Sequence, residues 1–240
     1  FWYLFKKWYN LHARKVVLGM CFFRPKLHVY SKNDNYTITN HIIKTFGLVE
    51  TKLKETQSRH IERTILISKP SESRPYYTLT TVGMGAQVMR NIPPSYRKDG
   101  VGRAELLICL PKNWDLKNRD EKWFWPIAYL KALMQYPFQQ RTWLGYEHTL
   151  QLGGKLPGTE FKGILFDYPY HIKKSDYKVQ LENGEYVWFY QIIPLFSTEV
   201  VYKNEEDYNA LKKLIQENYG VVNPERFNVL SKLGPQKLAE

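Results

Sequence analysis

Residues 74–89 read RPYYTLTTVGMGAQVM, and residues 103–111 read RAELLICLP. Each contains a short segment, residues 76–82 and 104–110, rich in aromatic, β-branched or aliphatic side chains and bounded by turn formers. That pattern predicts two strands. In the first, Tyr77, Leu79 and Thr81 alternate with Tyr76, Thr78, Thr80 and Val82. The second is nearly unbroken through Leu106, Leu107, Ile108 and Leu110, as expected of a strand buried on both faces. Gly83-Met84-Gly85 follows the first strand and reads as a tight turn requiring positive φ. A phosphate cradle is rejected, because no Lys-Ser/Thr follows and too few glycines are present for a nucleotide loop.

Working outward, residues 48–54 and 61–68 read as further strands, with a turn over 69–75. Thr39 or Asn40 is placed to cap a short helix through Phe46, ended by Gly47. Residues 31–40, SKNDNYTITN, read as a polar loop or linker. Trp125-Pro126 is taken to start a helix with proline in its first turn, Ile127, Leu130, Leu133 and Met134 facing inward, and Pro137 as its stop. Residues 161–166 form another strand. Asn183-Gly184, between residues 177–181 and 186–195, is the strongest hairpin signal, and residues 186–196 make a long central strand. Residues 204–219 are expected as a closing helix with Leu211, Leu214 and Ile215 inward and Gly220 after it. The tail past Val221 loses periodicity, and Gly234-Pro235 suggests that it frays. Strands and helices alternate loosely, so the expected class is α+β, a mixed sheet covered by helices. The expected division is an N-terminal basic and aromatic appendage over 1–38, a main domain over 39–220, and a tail over 221–240.

The 240 residues include 15% aromatics and 43% hydrophobics, which excludes a disordered chain. Only Cys21 and Cys109 are present, so neither a disulfide framework nor a zinc pattern can be built, and a reducing, cytoplasmic setting is expected. Cys109 is read as a small buried hydrophobe. The net charge is +12, with 13 Lys and Arg against 4 Asp and Glu in residues 1–69, leaving 22 against 19 elsewhere. A basic N-terminal part suits phosphates or an acidic protein surface. Nucleic-acid binding through residues 1–69 is therefore a reading, though not the favoured one. Phe1, Leu4, Phe5, Trp8 and Leu11 form one helical stripe. The apolar run at 16–23 is far shorter than the roughly 20 residues that span a bilayer, so no membrane span is expected. A clipped secretion signal is disfavoured, since no small-residue cleavage pattern follows that run.

The six histidines lack metal-site spacing, no HExxH or G-x-S-x-G occurs, and no cofactor is implied. Glu105, opening the buried strand, and Glu147-His148, in the aromatic stretch 140–150, are the candidates for acid–base work. They define an alternative reading as a hydrolase or nucleic-acid-processing enzyme. A paired or solvated strand-end carboxylate is the structural alternative for Glu105.

Taken together, RPYYTLTTVGMGAQVM, RAELLICLPKNWDL, WFWPIAYLKALMQYP, TWLGYEHTL, FKGILF and VWFYQIIPLFSTEV, in that order, resemble the suppressor-of-fused family. The resemblance covers roughly residues 40–215. It implies a suppressor-of-fused-like α+β interaction domain that is not an enzyme. Animal relatives add a second domain and clamp an extended peptide of a zinc-finger transcription factor by β-strand pairing. With one such domain, this chain is similar to the bacterial members, and that similarity implies an antitoxin or immunity-type protein that binds and neutralises a cognate toxin. The basic balance departs from what a blocker of a basic nuclease would carry. The family's peptide site matches Tyr136 and Glu147, next to His148, with Trp143 and Tyr146 in the same stretch. Tyr136 would pack on a partner side chain and offer its hydroxyl, and Glu147 would accept from a partner Ser, His or backbone N–H. A structural alternative leaves Tyr136 and Trp143 as helix-end core and Glu147-His148 as a surface loop.

Overall fold

The computed structural model describes residues 27–55, 61–215 and 219–232. Eight strands form one mixed sheet: β1 (Val49–Lys54), β2 (Thr64–Ser68), β3 (Tyr76–Val82), β4 (Arg103–Pro111), β5 (Thr149–Gln151), β6 (Gly163–Asp167), β7 (Lys178–Gln180) and β8 (Tyr186–Leu195). The order is β1-β2-β3-β4-β8-β6-β5, with β7 also on β8. β1 to β4 form an antiparallel meander, and β4 pairs β8 in parallel. β8 is long enough to pair β7 through Tyr186–Trp188 and β6 through Gln191–Leu195 along its other edge.

Helices cover both faces. They are α1 (Lys32–Phe46), α2 (Pro94–Arg97), α3 (Glu121–Leu133), α4 (Tyr136–Gln139), α5 (Ser197–Glu205) and α6 (Tyr208–Ile215). The period-2 geometry of a strand explains why β4 is buried almost throughout. Leu106, Ile108 and Leu110 face Trp125, Ile127, Leu130 and Leu133 of α3, while Leu107 and Cys109 face Ile38, Ile42 and Phe46 of α1. Next to α1, α5 and α6 lay Val200, Tyr208, Leu211 and Ile215 on Leu165, Ile193 and Leu195. The mixed sheet covered by helices is thus the architecture.

Several local expectations are corrected. The stretch 31–40 is not a linker but the first half of α1: the Ser31 side chain accepts the Asp34 N–H at 3.0 Å and caps a 15-residue helix. Its polar sequence is held down by Ile38, Ile42 and Phe46, all buried, each contributing about 1.5–3 kcal/mol. The position 38 boundary therefore lies inside a continuous helix. α3 begins four residues before Trp125, at Glu121, so Pro126 is interior and removes only its own bond toward the preceding turn. Pro137 lies within α4 rather than simply ending α3. The closing helix is two: α5 starts at Ser197, and α6 starts after Asp207, whose carboxylate accepts the Ala210 N–H at 3.0 Å. Leu211 and Ile215 are buried as expected, and Leu214 is half-buried.

The first part of the tail, residues 221–232, is ordered despite its lack of periodicity. Val222 N–H donates to the Cys109 carbonyl at 2.9 Å, so residues 221–222 extend the sheet beside β4. Arg226 is then buried against Glu199. The stripe at 1–15, the apolar run 16–23, Cys21, residues 216–218 and Gly234-Pro235 lie outside the described residues.

The expected hairpin forms at Asn183-Gly184, but only Gly184 has positive φ, +83°, and the loop closes with Gly184 N–H on the Leu181 carbonyl at 3.0 Å rather than as a two-residue turn. Cys109 is buried beside the Thr78 hydroxyl, and burial pushes its thiol up to about 12. In a Cys21→Ser variant, a thiol reagent at neutral pH should therefore label Cys109 at least about a hundredfold more slowly in the folded protein than in denaturant. Equal rates would contradict this placement.

Candidate partner-binding site

The segment from α4 to β5 builds the site. Tyr136 heads α4 and packs half-buried on the core below α3, as do Phe138, Trp143 and Tyr146. Trp143 folds back over Gly145, where a Cβ would lie 2.5 Å from the indole ring; only glycine fits there. Its ring meets His148 edge-on at 4.2 Å and lies 5.0 Å from the Tyr96 ring of α2. Tyr146 turns the other way, stacking on Tyr168 at 4.2 Å and meeting Tyr208 edge-on. Burial pushes its hydroxyl up to about 12.

Backbone contacts hold this loop in place. Glu147 has φ +64°, its N–H donates to the Phe166 carbonyl at 2.9 Å, and its own carbonyl accepts from Lys203 of α5. His148 accepts the Phe166 N–H through its carbonyl at 2.8 Å. Burial, reinforced by the Lys203 charge, lowers the His148 pKa below its ordinary value and favours the neutral imidazole, while a hydrogen bond to the Trp143 backbone partly opposes this. Among the described residues, four non-glycines have positive φ. Asn91, Arg141 and Glu147 are three of them, and the Asn91 side-chain amide donates to the Arg141 carbonyl at 2.6 Å. Backbone conformations of this kind cost about 1–3 kcal/mol each and gather at functional sites.

The structure thus joins Trp143 and His148 directly and sets Glu147 between His148 and Tyr146. Tyr136 lies on the same core at the far end of the segment. β5, the terminal strand of the sheet order, begins immediately after His148. The sequence reading missed Tyr96, Asn91 and Lys203. Tyr96 lies between β3 and β4, far from Trp143 in the chain, and nothing local to it announces that contact.

Glu105 is not brought into this site. It is wholly buried, with Oε1 accepting from the Tyr30 hydroxyl at 2.7 Å, Gly83 N–H at 2.8 Å and Gly85 N–H at 3.1 Å, and Oε2 from Thr81 at 2.6 Å. Gly83, at φ +125°, makes the expected tight turn. Its amide and that of Gly85 cradle a carboxylate of the same chain. Glu105 and the Glu147-His148 pair share none of these bonding partners, so the acid–base set of the alternative reading does not converge here. No group of three or more His, Cys, Asp or Glu able to hold a metal occurs among the described residues. No helix among them is long and apolar enough to cross a membrane.

Residues 41–226 match the model of the family described as Suppressor of fused protein (SUFU). An uncharacterized protein of Ureaplasma parvum, UU111, is 24% identical over 192 residues, covering 78% of this chain and 90% of its own length. Among solved structures, the Sufu–Fu complex aligns with a TM-score of 0.60 at 16% identity, over 85% of this chain and 95% of that one. A SUFU homolog from Neisseria gonorrhoeae gives 0.54 at 17% identity, over 83% and 98%. Drosophila Suppressor of Fused gives 0.55 at 14% identity, over 85% of this chain, which spans about half of that longer protein, 53%. The sequence match, running from the middle of α1 through Arg226, shows that the chain belongs to the suppressor of fused family.

Proposed function

We propose that this protein is a binding module for another protein, without catalytic chemistry of its own, and that it holds an extended segment of its partner across Tyr136, Trp143, Tyr146, Glu147 and His148. The observation that carries this reading is the Trp143–His148 ring pair with Tyr96 alongside, fixed by positive-φ residues and backed by the core. Partly covered aromatic rings on a rigid support are what binding hot spots use, because they add contact area at little entropic cost. Tyr136 packs on a partner side chain, Glu147 accepts a partner hydrogen bond, and the edge strand β5 offers main-chain groups for pairing. The structural neighbour solved as the Sufu–Fu complex supports a protein as the partner class.

The finer reading is an antitoxin or immunity-type role in the cytoplasm, in which the partner is a toxin that this chain neutralises. Its support is the likeness to the bacterial homolog, of which this chain covers 98%. The test is to express the captured partner alone and together with this chain. Growth arrest by the partner alone, relieved by co-expression, is the expected result. A partner harmless on its own would overturn the immunity role and leave the binding role standing.

A further inference from the structure

Opposite Trp143, the loop over residues 88–99 with α2 carries two exposed apolar side chains, Val88 (41% exposed) and Tyr96 (49%). Tyr96, exposed beside the half-buried Trp143 at 5.0 Å between rings, forms with it an aromatic surface that water covers poorly. The loop is fixed rather than loose. Met89 N–H donates to the Gly102 carbonyl at 2.9 Å, Met89 Sδ accepts the Leu144 N–H, and Asn91 bonds the Arg141 carbonyl. Around these contacts the exposed charges are mainly positive: Arg90, Arg97, Lys98 and Arg141 stand against Asp99. Lys203 adds a further positive charge beside Glu147.

We propose that the loop 88–99 is the second wall of the partner-binding site, and that it selects a protein segment carrying a large apolar side chain for Tyr96 and Trp143 next to acidic residues for Arg90 and Arg141. This rests on the partner-binding reading above. Charge complementarity sets which partner docks and in what register. A protein segment fits better than a nucleic acid, because Asp99 and Glu147 interrupt the positive rim. They would oppose an evenly charged phosphate backbone and spare a peptide whose charge sits at one spot.

The experiment displays random dodecapeptides and selects them on the wild-type protein, on Arg90→Glu/Arg141→Glu and on Tyr136→Ala/Glu147→Ala, with circular dichroism confirming each fold. Wild type should enrich peptides pairing an aromatic residue or leucine with Asp or Glu. The charge-reversed variant should instead enrich Lys or Arg at those places. A synthetic peptide of the enriched sequence should lose about tenfold in affinity on Tyr96→Ala, while a single-stranded oligonucleotide binds wild type more weakly than that peptide. Enrichment without acidic residues, lost in Tyr136→Ala/Glu147→Ala, would overturn this inference and uphold the site. An unchanged acidic preference after charge reversal, or tighter binding of the oligonucleotide, would also overturn it. No enrichment on wild type would overturn the inference and the extended-segment reading together.

Discussion

Glu105→Ala is expected to lower the unfolding free energy by about 3–5 kcal/mol, a large part of the roughly 5–15 kcal/mol that holds a domain folded. The carboxylate is the common acceptor for Tyr30, Thr81, Gly83 and Gly85. Removing it strands two buried backbone N–H groups that no rotamer change can redirect, each costing about 1–3 kcal/mol. Room for rearrangement is small, since a Cβ at Gly85 would lie 2.2 Å from the Tyr30 hydroxyl and one at Gly83 would lie 1.9 Å from the Glu62 carbonyl. The variant also frees Tyr30, and with it the junction that ties the start of α1 to the start of β4. Chemical denaturation measures the change as a lower midpoint at unchanged slope.

The pH dependence follows from the same site. Burial raises the Glu105 pKa above its ordinary value, and the four donors only partly offset this. A raised carboxyl binds its proton more tightly when folded, so its stabilising contribution is full below the ordinary carboxylate value of about 4.3 and is lost as pH rises through the folded value. The stability gap between wild type and Glu105→Gln should accordingly narrow as pH rises from acid toward neutral. A widening gap would contradict the sign.

Arg226→Ala is the second large effect, again about 3–5 kcal/mol, because it leaves Glu199 charged and buried without its partner. The pair is bidentate, with Nη1 to Oε1 at 2.7 Å and Nη2 to Oε2 at 2.6 Å, and both side chains are almost wholly covered. Arg226 also donates to the Pro194 carbonyl and lies over the rings of Phe161 and Phe196. Glu199 accepts two further bonds, from the Phe196 and Val229 amides, so it holds the start of α5 and the turn that begins at Val229 at once. Arg226→Lys should recover little, since an ammonium cannot reproduce the fork. Adding Glu199→Gln to Arg226→Ala should cost far less than the two single losses summed, because the second change removes the stranded charge. Additive losses would show that the two side chains do not act as a pair.

How much of this the sequence carried depends on how local the cause is. Alternation in β3, the continuous run of β4 and the Asn-Gly turn before β8 are each decided within a few residues, and all stand as read. The start of α1 was hidden because its first turns are polar and look like a loop; its buried stripe, Ile38, Ile42 and Phe46, runs from the middle of the helix to its end. Residues 221–232 lack periodicity because what orders them is distant, namely the Cys109 carbonyl and Glu199. The candidate site divides the same way. Trp143, Glu147 and His148 were visible as a cluster of residue types, and Gly145 explains locally how Trp143 folds back onto it. Tyr96 was invisible, because its ring contact spans 47 positions from residue 96 to 143, and no spacing rule covers a meeting of two loops.

The most direct test captures binding proteins from a lysate of the source cells on the wild-type chain and on Tyr136→Ala/Glu147→Ala. Bound proteins are identified by mass, and the purified pair is run by size exclusion. One stoichiometric partner held by wild type and lost by a folded variant is the expected result, and it places binding at the loop between α4 and β5. A partner held equally by both would contradict that site, and no stoichiometric partner at low or moderate salt would contradict the binding function itself.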